Sequence, residues 1–224
     1  MKSIVNLVCM SISSLFLFTG VTQAQNLIQN GGFESPGFTA NAGPGRWKVV
    51  ANSTDITGWI VGGSGDIFVQ QTPFDGGPVY NPAQDGSHYV DLSGDGAPHG
   101  TLYQDFATTV GGEYSLSFYI GSASSQPSST INVGLLGAGT LLDTTLTPLA
   151  PNGNLNWLQE SFSFTADSES TRLSFVDTSG IDDNASFVDN VSVSSVPESS
   201  SSMLLLFMGL GSMIFLRHRV PRLV

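Results

Sequence analysis

The sequence predicts an all-β fold, a two-layer β-sandwich, and three observations carry that expectation. Apolar and polar residues alternate with a period of two in several short runs, as in Tyr114, Leu116, Phe118 and Ile120 against Ser115, Ser117 and Tyr119. Turn-forming clusters separate the runs: Gly94-Asp95-Gly96, Gly111-Gly112, Gly137-Ala138-Gly139 and Pro151-Asn152-Gly153. No window repeats apolar residues at helical spacing over three turns, and Lys, Glu and Arg, which favour helices, are scarce.

In chain order, residues 1–24 read as an export leader. Lys2 gives a positive start, Ile4 to Phe18 is an apolar stretch broken only by polar Asn, Ser and one Cys, and Thr22-Gln23-Ala24 places small residues before a cut between Ala24 and Gln25. A retained membrane anchor is the alternative, and the stretch is short for one. The body, 25–195, suits one domain with a sizeable core. Its Pro36 to Pro82 region is rich in Gly and Pro and predicts long loops around a short strand, Ile67 to Val69. Further strands are expected at Tyr89 to Leu92, Leu102 to Phe106, Tyr114 to Ile120 and Ile131 to Leu136. Trp157 and Leu158 begin another, continued by Phe162 and Phe164; Leu173 and Phe175 mark the next; Phe187, Asp189, Val191 and Val193 mark the last. Ser194 to Ser202 reads as a linker.

A tail follows from 196 to 224. Val196-Pro197-Glu198 precedes a serine run and a fourteen-residue apolar stretch, Met203 to Leu216, which ends at Arg217-His218-Arg219. As a helix that stretch reaches about 21 Å, short of a hydrocarbon core of about 30 Å. Snorkelling arginines extend it enough for a thin or transient span, with the basic end in the cytoplasm. A simple single-pass anchor is the alternative.

Cysteine and charge exclude several classes. Cys9 is the one cysteine and lies within the expected leader, so a body from Gln25 onward has no disulfide, no cysteine-ligated zinc and no cysteine nucleophile. Between Gln25 and Ser195 three basic residues stand against seventeen acidic ones, a net charge of −14. Such a surface repels nucleic acid and anionic lipid.

Two resemblances rest on quoted residues. Val196-Pro197-Glu198, the short apolar stretch and the terminal arginines resemble a PEP-CTERM sorting signal, with Ser199 where that family usually has a second proline. The resemblance implies an exosortase that recognises and removes the tail, and a protein that passes the inner membrane transiently on its way to the cell envelope, surface or extracellular matrix. The body resembles the choice-of-anchor domains of such exported proteins, which are related to plant cell-wall domains of the same type. The matching segments are Asn26-Leu27-Ile28 with Asn30-Gly31-Gly32-Phe33-Glu34, Ile56 to Trp59, Tyr89 to Gly94, Gln104 to Phe106, and Phe187 to Val193. This resemblance implies a galactose-binding-like jelly roll with its first and last strands adjacent. It also implies a structural calcium at Glu34 and Asp189, because two carboxylates brought together repel unless bridged or protonated. The alternative has Glu34 capping a turn and Asp189 facing solvent. Exposed aromatics stack on sugar rings in modules of this fold, which makes Trp47, Phe74 and Tyr80 candidates, with Asn81, Gln84 and Asp85 as polar partners. Core packing is the alternative for Trp47 and the expectation for Trp59 and Trp157.

No pattern points to catalysis. His88 and His99 lie near Asp91, Asp95, Ser87 and Ser93 in sequence, but no Gly-x-Ser-x-Gly elbow holds a nucleophile. Asp177, Asp182, Asp183 and Asn184 lack the spacing of a calcium loop and read as a solvated segment. The expected function is therefore non-catalytic carbohydrate binding at the cell surface. The alternatives are a structural or adhesive protein that binds other proteins, and, third, a polysaccharide hydrolase.

Overall fold

The computed structural model describes residues 25–37, 40–72, 82–96, 99–122, 129–148, 155–179 and 186–197. The expected leader, Ala24 included, and the tail from Glu198 onward lie outside the described residues, as do Phe74, Tyr80, Asn81, Asp182, Asp183 and Asn184. The described residues form eleven strands and no helix. In chain order these are β1 (Arg46–Val49), β2 (Ile60–Gly62), β3 (Ile67–Gln71), β4 (His88–Asp91), β5 (Thr101–Ala107), β6 (Glu113–Ser122), β7 (Ile131–Leu136), β8 (Thr140–Leu146), β9 (Asn156–Thr165), β10 (Ser170–Asp177) and β11 (Phe187–Ser195). They build a six-stranded sheet, β1-β3-β4-β11-β6-β9, and a five-stranded sheet, β2-β5-β10-β7-β8, with every pairing antiparallel.

The alternation seen in the sequence is the alternation of burial. Leu116, Phe118 and Ile120 of β6 are fully buried on the inner face, as are Val133 of β7 and Leu173 and Phe175 of β10. Trp59 seals one end of this core: its indole packs against Phe33 and Phe175, at 5.4 and 6.3 Å between rings, and its Nε1–H donates to the Asn30 carbonyl at 3.0 Å. That last bond is what a buried indole requires, since an unpaired N–H in the core is costly.

The two ends of the body lie side by side. The Leu27 N–H donates to the Val193 carbonyl at 2.7 Å, the Val191 N–H donates to Gly31 at 3.0 Å, and the Asn26 amide oxygen accepts from the Val193 N–H. Gly31 is needed there because a Cβ would overlap the Val191 carbonyl. The register of β11 slips between Asp189 and Ser192, where Asn190 takes φ +50°. This bulge lets Val188 and Val191 both face the core while Asp189 and Ser192 face outward.

Three strands were not expected: β1, β2 and β8. Those of three or four residues are too short to show a period, so the Pro36 to Pro82 region reads as loop. In β8 the outer positions alternate only weakly, since it is the edge of its sheet and its leucines are half-buried.

Candidate ligand-binding face

An antiparallel sheet in a sandwich ordinarily turns polar residues outward to water. The six-stranded sheet departs from this at one end, where β3 and β4 are buried on both faces. Pairing register fixes what lies outward there. One row across the strands is Lys48, Phe68, Asp91, Phe187, Gly121 and Trp157; the next is Arg46, Gln70, Tyr89, Asp189, Tyr119 and Gln159. Phe68, Tyr89 and Phe187 are buried yet stand apart from the inter-sheet core. They belong to a second cluster on the opposite side of the sheet.

Three aromatic rings organise that cluster. Tyr89 meets Phe187 edge-on at 5.0 Å and Trp157 edge-on at 5.5 Å, and Trp157 lies 6.4 Å from Phe187. Trp157 starts from β9, so its indole must lean across β6 to reach them. Gly121 makes the crossing possible: a Cβ there would stand 2.9 Å from Trp157 Cε3 and 2.7 Å from a methyl of Leu155. Trp157 is thus half-buried on the outer face and does not belong to the core, contrary to the sequence expectation. Its Nε1–H donates to the Pro82 carbonyl at 2.9 Å.

Polar groups complete the band. The Arg46 guanidinium sits 4.8 Å above the Phe68 ring. The Gln70 amide donates to Asp91 Oδ2 at 2.8 Å, and the Ser93 N–H donates to Oδ1. Burial pushes the Asp91 carboxyl up to about 6 against these donors and the nearby Arg46. Burial likewise raises the Tyr89 phenol, helped by Asp91. Tyr119 is half-buried and Gln159 is exposed, so the band reaches solvent along β6 and β9.

Glu34 and Asp189 converge on one segment, residues 84–88. Asp189 is wholly buried, and its Oδ2 accepts from the N–H groups of Gln84 and Asp85 at 2.8 and 3.0 Å; Oδ1 accepts from Asn190 at 2.7 Å. Glu34 Oε1 accepts from the N–H groups of Ser87 and His88 at 2.6 and 2.7 Å; Oε2 contacts the Ser87 hydroxyl and His88 Nδ1 at 2.9 and 2.6 Å. Gly86 lies between the two grips at φ +61°, where a Cβ would run into Glu34. Asn190 Nδ2 donates to Gln84 Oε1, tying the bulge of β11 to the same segment. The result is a clasp that fixes the chain entering β4.

The two carboxyls respond oppositely. Burial pushes Asp189 up to about 7 despite its three N–H donors, with Asp85 adding repulsion. Burial also raises Glu34, but hydrogen bonds from Ser87 and His88 outweigh it and hold the carboxyl below the usual range. Asp189 does not face solvent, and Glu34 holds this segment through two backbone N–H groups. A calcium ion needs six to eight oxygens. Here the groups brought up to the carboxylates are mainly N–H and O–H donors, which supply positive charge directly to the oxygens. Among the described residues no group of three or more His, Cys, Asp or Glu side chains is placed to hold a metal. As arranged, Glu34 and Asp189 do not fit a calcium ion bridged between their carboxylates.

The remaining candidates are dispersed. Trp47 sits on β1 opposite Val69 and packs half-buried against the inter-sheet core, so it is not a loop aromatic offered to solvent. His88 faces Glu34, and its Nδ1 lies 3.2 Å from the Ser87 hydroxyl. His99 Nδ1 is 3.3 Å from the Ser93 carbonyl and 3.6 Å from Asp177 Oδ2. Asp95 pairs with Lys48, which also reaches Asp66 at 2.7 Å. Asp177 is buried in the domain, not solvated. Val196 and Pro197 follow β11 directly, and the Val196 N–H donates to the Glu113 carbonyl at 2.8 Å. Sequence reasoning missed Tyr89, Phe187, Gln70 and Gly121 as members of one face.

These strands and this face define an all-β sandwich module with an aromatic and polar cluster on one sheet face. Over residues 26–194 the sequence matches the family described as protein of unknown function (DUF642), and the chain belongs to that family. Halomucin from Haloquadratum walsbyi (strain DSM 16790 / HBSQ001) is 33% identical over 183 residues, 79% of this chain; the match spans 2% of that much longer protein. Among solved structures, TmCBM61 in complex with beta-1,4-galactotriose overlaps 75% of this chain and 97% of its own, at 14% identity and a TM-score of 0.49. The CBM22-1 xylan-binding domain of Xyn10C from Paenibacillus barcinonensis overlaps 71% and 100%, at 11% identity and a TM-score of 0.45.

Proposed function

We propose that this protein is an exported, non-catalytic surface or matrix protein that binds polysaccharide on the outer face of its six-stranded sheet. One observation supports the reading above others: on the outer face half-buried Trp157 and Tyr119 stand beside exposed Gln159, backed and fixed by the buried Tyr89 and Phe187, where a sandwich would ordinarily turn only polar residues to water. Aromatic rings match the apolar faces of sugars, and amides and carboxyls fix their hydroxyls. Net charge −14 on the body favours neutral ligands over polyanions. On this reading residues 1–24 direct export and 196–224 form an exosortase-recognised sorting tail, so the protein crosses the inner membrane and ends in the envelope or matrix. The full chain is expected to be retarded in gels containing its polysaccharide, and Trp157→Ala or Tyr119→Ala to relieve the retardation. Passage through every glycan gel unretarded rules the reading out. Mass spectrometry of the exported protein tests the ends: peptides starting at Gln25 and lacking Met203 to Leu216 are expected.

An adhesive role toward proteins is the second reading. The ten-residue edge strand β9, whose outward positions are exposed or half-buried, favours it.

A further inference from the structure

Below the aromatic cluster the same sheet face changes character. Register places Ser192 opposite Ser117 and Ser117 opposite Ser161; one step on, Ser194 faces Ser115 and Ser115 faces Ser163. All six side chains share the outward face of Tyr119, because the intervening Val193, Leu116 and Phe162 point inward. The serines of β9 are exposed and those of β6 and β11 half-buried. No hydrogen bond to another described residue occupies any of the six hydroxyls. Neither row carries a charged residue, on a body that is otherwise strongly acidic.

The rows continue without a step into Tyr119 and Gln159, then into Gly121 and Trp157. From Ser115 to Gly121 the strand advances about 20 Å. Nothing larger than a hydroxymethyl group stands on the lower half, so it is a flat tract of donors and acceptors about 5 Å apart across the strands. Resting on the polysaccharide-binding reading, we infer that the ligand is a neutral, linear polymer bound through an extended segment. One or two sugars meet Trp157 and Tyr119 at the accessible margin of the aromatic cluster, and the chain then runs along β6 and β9 over the serines. An ionised polymer is disfavoured, because the tract offers no cation and the surrounding domain repels anions. Each serine contact is individually weak, so affinity is built up by length.

The test titrates the full chain with neutral, linear β-linked oligosaccharides from disaccharide to octasaccharide, and with polyuronate of matching lengths. Affinity for the neutral series is expected to rise with length and to level off once about 20 Å is covered, for a total gain of at least about tenfold. The variant Ser161→Glu/Ser163→Glu puts charge on exposed positions of an edge strand, where folding is little affected. It is expected to abolish the gain with length while leaving the shortest binding ligand's affinity unchanged. Polyuronate is expected to bind neither protein. Binding that is independent of length but lost in Trp157→Ala overturns the inference and leaves the function intact. An equal length gain in variant and wild type, or preference for polyuronate, also overturns it. Failure of every glycan to bind removes the functional reading itself.

Discussion

Replacing Gly121 by alanine is the sharpest probe of the outer face. The backbone there is ordinary β-strand, so alanine brings no conformational penalty, only a methyl group. That methyl would stand 2.9 and 3.1 Å from two indole carbons of Trp157 and 2.7 Å from Leu155, closer than carbon atoms pack. Trp157 must therefore swing off β6. It would lose its edge contact with Tyr89, worth about 1 kcal/mol beyond buried area, and its bond to Pro82, worth about as much. The sum is about 2 kcal/mol, or roughly 4–8 °C in Tm for a domain of this size. Trp59 stays in the core and Trp47 lies on β1 at the opposite edge of the sheet, so the change in fluorescence comes from Trp157 moving toward water, and a red shift is expected. Polysaccharide retention should fall with it. Gly37→Ala, where no atom lies within 4 Å, is the control. A Gly121→Ala protein with wild-type Tm and emission would refute the account of how this face is assembled.

Further expectations follow from the clasp and the buried acids. Asp189 and Asp91 hold protons up to about pH 7 and 6 when folded, against ordinary values of 3.8. Folding thus takes up protons, and their contribution is full below about pH 4 and lost as pH rises through about 7. Urea midpoints should be higher at about pH 5 than at about pH 8; the reverse order contradicts the assignment. Glu34 acts the other way, since its lowered carboxyl contributes above its unfolded range and loses that on strong acidification. Glu34→Ala removes the acceptor of two backbone N–H groups and is expected to cost about 2 kcal/mol and to speed proteolysis near residues 84–88. Because donors already face both clasp carboxylates, a calcium chelator is expected to leave Tm unchanged, and a fall of several degrees would restore a bridging cation.

The fold was legible where one strand face alone is buried. In β6 every second residue from Tyr114 to Ile120 enters the core, and the period is plain over eight positions. It was illegible where a strand is three or four residues long in a Gly/Pro-rich stretch, as in β1 and β2; β3 and β4 were expected as strands, but the burial of both their faces was not readable. The clasp was half legible. Glu34 and Asp189 are quoted in the family-like segments, but their partners are backbone N–H groups, which leave no mark in a sequence. Trp157 misled for a different reason. Its direction depends on Gly121, 36 positions earlier and opposite it in the ladder, and only register reveals such a pair. For Trp47 both a sugar-stacking and a core-packing reading were open, and the Gly/Pro-rich neighbourhood concealed the short strand that packs it against the core.

The location of β11 has a mechanical consequence. Any tension applied beyond Pro197 is transmitted straight into this strand, which lies between β4 and β6 instead of at a margin. Its exit half is laced on one flank to β6 from Ser192 to Ser195 and on the other to residues 26–31. Pulling along the strand strains those hydrogen bonds together, so they must yield as a set. A domain hung from that end would resist drag better than one suspended from a peripheral strand that peels off bond by bond.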